Sequence, residues 1–229
     1  MLSGLCALVI TLGPWYYIET AFYCILLAAA FDLFDGMVAR ILKVQSDFGK
    51  EFDSLCDVVS FGVAPAMITI RTLQQYMSSV NDLFGGNLVY FIAPLLFALA
   101  AGIRLAHFNT DTKQTKNFRG LPSPAAGLLL ACTSLYWAEF YGSENVVLIL
   151  SGTSLLAAAL MLIPFPLLSL KLHNASNVTM AIVLLLLAVP SFLLLRFAAF
   201  TLLIISYIIA SPLITYFGKL FSKTGESNS

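Results

Sequence analysis

The sequence has few charged residues. They make up 10% of its 229 positions, whereas soluble domains carry about 25%. Hydrophobic residues, by contrast, make up 59%. So few charges leave too little polar surface to cover a water-soluble domain of this length. The composition therefore predicts a protein whose solvent is the lipid bilayer.

Net charge is also lacking, because 12 Lys and Arg residues balance 12 Asp and Glu residues. Without a positive field there is no reason to expect a nucleic-acid partner. The four cysteines, Cys6, Cys24, Cys56 and Cys132, have no CxxC spacing and lie in apolar stretches. We expect them to act as small hydrophobic residues rather than as disulfides or metal ligands. The first residues contain no basic stretch, so no cleavable signal peptide is expected.

Apolar runs recur along the chain. Seven of them approach the length of about 20 residues that a membrane-spanning helix needs: 15–42, 54–74, 88–108, 121–140, 145–163, 178–195 and 198–217. An eighth, Leu2–Leu12, is too short to span alone. We interpret it as the second half of a helix whose start is missing, or as a short helix that thins the bilayer. The pattern predicts an all-α integral membrane protein. One bundle of about eight helices would cover residues 1–222, and 223–229 would be a polar tail.

The basic residues alternate between the connections of these segments. Ten of the twelve Lys and Arg residues lie in or beside alternate connections, and the connections at 81–82 and 143–145 contain none. Cytoplasmic connections are enriched in Lys and Arg. Arg71 and Arg196 depart from the pattern, but both lie near helix ends, where a long side chain can reach the interface. We therefore expect the basic connections and both termini to be cytoplasmic.

Four aspartates stand out from this apolar background. Asp32 and Asp35 lie three residues apart on one helical face, and Asp53 and Asp57 lie four apart on another. Charges at membrane depth are costly, and clustered carboxylates repel unless protons or cations neutralise them. Carboxylate oxygens favour Mg²⁺ or Mn²⁺, and a pair of such ions can clamp the oxygens of phosphoryl transfer. The pattern predicts a two-metal site near the cytoplasmic face.

Two small residues beside the aspartates allow two interpretations of their role. Gly36 and Ala39 would serve either helix packing or the close approach of a flat base to the backbone. Asp47 and Glu51, in the same connection, are interpreted as ordinary interfacial acids.

The stretch from Asp32 to Asp57 resembles the signature of the CDP-alcohol phosphatidyltransferases, D-x2-D-G-x2-A-R-x8-G-x3-D-x3-D. All of its fixed positions agree: Asp32, Asp35, Gly36, Ala39, Arg40, Gly49, Asp53 and Asp57. Ranges 46–65, 104–110 and 118–126 resemble the phosphatidylserine synthase branch. Cys56 and His107 depart from that branch, which usually has alanine and arginine there. The resemblance implies a six-helix core, here with two further C-terminal helices, and usually a homodimer.

The resemblance also implies an activity. The phosphatidyl group of CDP-diacylglycerol would pass to the hydroxyl of L-serine, giving phosphatidylserine and CMP, with two divalent cations, Mg²⁺ or Mn²⁺. Asp32, Asp35, Asp53 and Asp57 would ligate the metals, and Asp57 would also be the general base. The nucleotide would lie against Asp32, Gly36, Ala39, Arg40 and Gly49.

The serine carboxylate needs a cation, and Arg104 is the first candidate because an arginine near the end of a membrane helix rarely goes unpaired. Asn109, Lys113 and Arg119 are further candidates, although positive-inside topology alone would place basic residues there. His107 is interpreted as an interfacial residue.

Three alternatives remain open at the level of the sequence. One is the same chemistry with another acceptor alcohol, such as glycerol 3-phosphate, inositol phosphate or choline. Intramembrane acids also occur in transporters, but those usually lie near the midplane between repeated halves, and no repeat is visible here. A structural scaffold would leave the acidic cluster unexplained.

Overall fold

The computed structural model describes residues 1–14, 17–42, 46–76, 88–110, 120–139, 145–163, 196–199, 201–206 and 208. Within these ranges the regular elements are all helical, as the composition predicts. They are α1 (Leu2–Leu12), α2 (Ile18–Leu42), α3 (Asp47–Asp57), a π-helical segment (Val58–Val63), α4 (Ala64–Tyr76), α5 (Leu88–Thr110), α6 (Ser123–Ala138) and α7 (Val146–Leu162). Residues 197–199 and 201–206 are helical too.

Two helices of the described residues are long and apolar enough to cross a membrane. The first runs through α3, the π segment and α4 as Phe48–Tyr76, and the second is Tyr90–Thr110. The segment predicted at 178–195, part of the one at 198–217 and the tail lie outside the described residues. The total of about eight spanning helices therefore stays a prediction.

The predicted bounds need one clear correction. The helix predicted to begin at residue 54 begins at Asp47, because Ser46 caps it: the Ser46 hydroxyl accepts a hydrogen bond of 3.0 Å from the Gly49 amide. This cap lets polar residues form the first two turns ahead of the apolar run.

The core of the bundle surrounds the π segment. Phe61 of this segment packs with Phe22 and Ile25 of α2, Ile68 of α4 and Leu135 of α6. A second buried cluster joins α4 to α7, with Phe97, Leu121, Leu130 and Met161 among its members. Every residue named here is at most 2% exposed, so the π segment is held from several sides.

Small residues allow these helices to approach closely. A Cβ on Gly127 of α6 would lie 2.6 Å from the Phe61 carbonyl oxygen, and a Cβ on Gly62 would lie 3.0 Å from the Ala101 Cβ of α5. Glycine and alanine at such positions are typical of helix packing in membranes. Both contacts involve the π segment, and Gly127 and Gly62 thus fix its position against α6 and α5.

Candidate active site

The cap at Ser46 determines how α3 presents its acids. Because helix geometry begins at Asp47, Asp53 and Asp57 lie one turn apart on the same face of α3. A Cβ on Gly49 would lie 3.0 Å from the Ser46 hydroxyl, so glycine at this position leaves room for the cap. Asp57 is the last residue of α3, and the π segment begins directly after it. Single π-helical turns within α-helices are frequent at functional sites.

Three of the four predicted aspartates converge. One carboxylate oxygen each of Asp32, Asp53 and Asp57 lies within 4.8 Å of the others. Asp32 and Asp57 are partly buried, whereas Asp53 is exposed. Three carboxylates at this separation repel one another strongly. An all-oxygen donor set of this kind fits a hard divalent cation such as Mg²⁺ or Mn²⁺.

Asp35 occupies a different position from the other three aspartates. Its side chain is exposed, and it does not belong to the group of three. It lies near enough to interact electrostatically with Asp32 and Asp53. The structure therefore places the fourth carboxylate at the rim of the cluster.

Arg104 brings positive charge to the cluster from α5. Its guanidinium interacts electrostatically with Asp57, and its Nη1 donates a hydrogen bond of 2.9 Å to the Ser123 hydroxyl at the start of α6. Its buried Nε has no hydrogen-bond partner among the described residues. One N–H of Arg104 thus remains free to bind an anion.

Asn109 links the end of α5 to the helix that carries Asp53 and Asp57. Its amide nitrogen donates to the Ser54 hydroxyl at 2.9 Å and to Glu51 Oε2 at 3.2 Å. Its buried Oδ1 accepts no hydrogen bond within the described part of the chain. An unpartnered buried acceptor is costly, and a bound water, ion or ligand would satisfy it.

Ser54 and Ser123 are site residues that the sequence reasoning did not identify. Ser54 follows Asp53 directly, and Ser123 lies in the range 118–126, whose resemblance to the phosphatidylserine synthase branch indicates a substrate-facing loop at 120–124. A signal for Ser123 was present, since it is a polar residue at the start of a mostly apolar run. Its partner, however, lies 19 residues away in sequence, and no local pattern gives that pairing.

Several predicted site residues cannot be placed by their contacts. Gly36, Ala39 and Arg40 belong to the last two turns of α2, but their side chains lie outside the described part. Lys113 and Arg119 also lie outside it. His107 is described and is exposed on α5.

Comparisons with known proteins identify relatives of this chain. The sequence profile of the family described as CDP-alcohol phosphatidyltransferase matches residues 1–170. A CDP-diacylglycerol–serine O-phosphatidyltransferase from Bacillus subtilis is 31% identical over 164 residues, which cover 71% of this chain and 82% of the relative. An enzyme with the same name from Methanocaldococcus jannaschii is 40% identical over 110 residues, 48% of each chain.

An archaetidylserine synthase from Methanothermobacter thermautotrophicus is 37% identical over 142 residues, which cover 61% of this chain and 55% of the relative. The chain therefore spans most of the bacillary relative but only about half of the length of the two archaeal ones.

Proposed function

The chain belongs to the CDP-alcohol phosphatidyltransferase family, and we propose that it transfers the phosphatidyl group of CDP-diacylglycerol to the hydroxyl of L-serine. The products are phosphatidylserine and CMP. The observation that carries this proposal is the convergence of Asp32, Asp53 and Asp57 within 4.8 Å, a donor set suited to cations that bind a pyrophosphate. The names of the relatives support serine over glycerol 3-phosphate, inositol phosphate and choline as the acceptor.

The metal ligands in this proposal are Asp32, Asp53 and Asp57, with Asp35 at the rim. Together they hold two divalent cations, Mg²⁺ or Mn²⁺. When bound, such cations neutralise the charge that develops on the departing CMP.

Asp57 acts as the general base. An alcohol is a weak nucleophile near neutral pH. Asp57 takes the proton of the serine hydroxyl as the serine oxygen bonds to the phosphorus that carries the diacylglycerol. The bond from that phosphorus to the CMP oxygen breaks, and CMP leaves with the electron pair.

The acceptor lies between Arg104 and Asn109. Serine carries a carboxylate and an ammonium group, which need a donor and an acceptor respectively. The free Nε of Arg104 and the free Oδ1 of Asn109 offer one of each. Lys113 and Arg119 add positive charge in the same connection. On the donor side, Arg40 binds phosphate, and Gly36, Ala39 and Gly49 lie along the nucleotide.

The proposal extends to the location and assembly of the protein. The catalytic bundle spans residues 1–222 with a polar tail at 223–229. It lies in the cytoplasmic membrane as a homodimer, with the active site and both termini on the cytoplasmic side. The two long apolar helices support the membrane location, and the alternation of basic connections supports the cytoplasmic orientation. The homodimer is what the family resemblance implies.

The test is an assay of the purified protein with CDP-diacylglycerol, Mn²⁺ or Mg²⁺, and a panel of alcohols, following CMP release. We expect release with L-serine and not with glycerol 3-phosphate, inositol phosphate or choline. Release with a different alcohol alone would reassign the acceptor. A protein that releases no CMP with any alcohol would refute the transferase.

A further inference from the structure

Arg104 has a hydrogen-bond partner that the proposed mechanism does not use. The Ser123 hydroxyl accepts a bond of 2.9 Å from Arg104 Nη1, and Ser123 has no exposed surface (0%). A guanidinium is planar, with its five N–H groups in a fixed arrangement. Fixing Nη1 therefore limits the directions in which the other N–H groups of Arg104 point.

The connection before Ser123 is itself anchored. Gly120 has φ +79°, and a Cβ at this position would lie 2.7 Å from the Met161 carbonyl oxygen. The Leu121 amide donates to the Leu160 carbonyl oxygen at 2.9 Å. The last carbonyls of α7 have no partner within their own helix, and Gly120–Leu121 packs against them. Ser123 is thus placed by α7 as well as by its own helix.

These contacts connect the end of α7 to the aspartates. Gly120 and Leu121 contact the end of α7, Ser123 begins α6, and the Ser123 hydroxyl accepts a hydrogen bond from Arg104 of α5. Arg104 then interacts electrostatically with Asp57 of α3. The Nε of Arg104, which has no hydrogen-bond partner among the described residues, is available to a ligand.

We propose that Ser123 is a positioning residue for the acceptor: through its hydrogen bond it holds the Arg104 guanidinium beside Asp57, where the free Nε binds the serine carboxylate. Gly120 supports this role because its left-handed backbone allows the connection to pack against α7. The inference rests on the proposed function, since it assigns a specificity-determining contact to the same site.

The test is Ser123→Ala, compared with Ser134→Ala as a matched control. Ser134 is also fully buried on α6 (0%), and its hydroxyl bonds to Thr69 Oγ1 and the Leu130 carbonyl oxygen, both at 2.8 Å. Both variants remove one buried hydroxyl from the same helix. We expect Ser123→Ala to raise the KM for serine about tenfold, the factor expected from one lost hydrogen bond to a charged group. The KM for CDP-diacylglycerol should stay at the wild-type value in both variants.

A second variant tests whether the Ser123 hydroxyl itself, rather than the packing around it, affects the KM for serine. Ser123→Thr keeps the donor–acceptor group, and we expect its KM for serine to lie nearer the wild-type value than that of Ser123→Ala. In an Arg104→Lys background, Ser123→Ala should have little further effect, because the residue acts through the arginine. A further tenfold rise in that background would overturn the proposal.

The outcomes also separate this inference from the function on which it rests. If the wild-type protein releases CMP with serine, but Ser123→Ala has the same KM for serine as Ser134→Ala, Ser123 has no positioning role and the function stands. If the wild-type protein releases no CMP with serine, the proposed function fails and this role of Ser123 fails with it.

Discussion

Asp57 occupies a special position among the four aspartates. It ends α3, it is partly buried, and it faces both the carboxylates of Asp32 and Asp53 and the guanidinium of Arg104. Asp53, on the same helical face, is exposed. A carboxylate between a cation-binding cluster and a free arginine donor is well placed to accept a proton from an alcohol that binds at that donor. Its position therefore supports the proposal that Asp57 acts as the general base as well as a metal ligand.

Replacing this carboxylate should separate catalysis from nucleotide binding. We expect Asp57→Asn to lower kcat by about 100-fold or more, the range that general bases contribute, because the amide cannot accept the proton. Binding of CDP in the presence of Mn²⁺, measured by calorimetry, should persist in weakened form, since Asp32 and Asp53 remain. Glu139→Gln, which removes an acid beyond the far end of α6, is the control and should keep its activity. Full turnover in Asp57→Asn would exclude it as the base.

At the scale of elements, the π segment connects the site to the packing of the bundle. It begins directly after Asp57, and its Phe61 lies in the core against α2, α4 and α6. Gly62 packs on Ala101 of α5. The orientation of the last turn of α3 is therefore set by contacts that lie deeper in the bundle than the aspartates themselves.

A methyl group on Gly127 should disturb this arrangement. Its Cβ would lie 2.6 Å from the Phe61 carbonyl oxygen and 3.1 Å from Phe61 Cα, and backbone atoms cannot move aside cheaply. We expect Gly127→Ala to lower stability by about 1–3 kcal/mol, the usual cost of overpacking, and to lower kcat because the segment after Asp57 shifts. Thermal unfolding in detergent and CMP release would measure the two effects.

The control for this substitution is Gly152→Ala. Gly152 lies in α7, and a Cβ there would have no atom within 4 Å. Because alanine favours helix over glycine, we expect this variant to be as stable as the wild type or slightly more so. Equal unfolding temperatures for Gly127→Ala and Gly152→Ala would show that the π segment tolerates displacement.

The sequence predicts some of these elements well and others not at all. The apolar runs predict the helices because a bilayer selects for length and hydrophobicity. The spacing of the aspartates predicts that Asp53 and Asp57 share a face. The π segment has no local sequence signal, since residues 58–63 simply continue the apolar run predicted as a helix at 54–74. The earlier start of α3 was in principle readable from Ser46, a residue that often caps helices.

The sequence does not predict contacts between residues that are far apart in the chain. The bonds from Arg104 to Ser123 and from Asn109 to Ser54 depend on which faces of α5, α6 and α3 meet. Helix packing decides this, and the period of one helix does not specify its neighbour. For the same reason, the spacing of the four aspartates in the sequence does not predict that three of them converge and that Asp35 lies at the rim.

At the scale of the whole molecule, α6 separates two polar regions. Ser123 at its start belongs to the candidate site, while Glu139 follows its end and pairs with Arg196 at 2.8 Å. Arg196 also pairs with Glu19 near the start of α2, at 3.2 Å. These two carboxylates give a reason why Arg196 departs from the alternation of basic residues: its charge is balanced within the fold. The network joins chain segments far apart in sequence, and within the described ranges its ion pairs include no residue of the site.

The last prediction concerns Arg196, which makes opposing contributions to stability. Its two ion pairs are partly exposed, with side-chain exposures of 56%, 43% and 44%, so together they contribute only about 1 kcal/mol. Its backbone has φ +48°, a conformation that costs a non-glycine residue about 1 kcal/mol. Arg196→Ala loses the pairs and keeps the strain, whereas Arg196→Gly loses the pairs and relieves it. We therefore expect Arg196→Ala to unfold at a lower temperature than the wild type, and Arg196→Gly to unfold above Arg196→Ala. High salt should reduce the difference in unfolding temperature between wild type and Arg196→Ala, because it screens the pairs, while the KM for serine should not change in either variant.

An Arg196→Gly protein less stable than Arg196→Ala would show that the left-handed backbone is not a source of strain. A changed KM for serine would show that the two ends of the bundle are coupled.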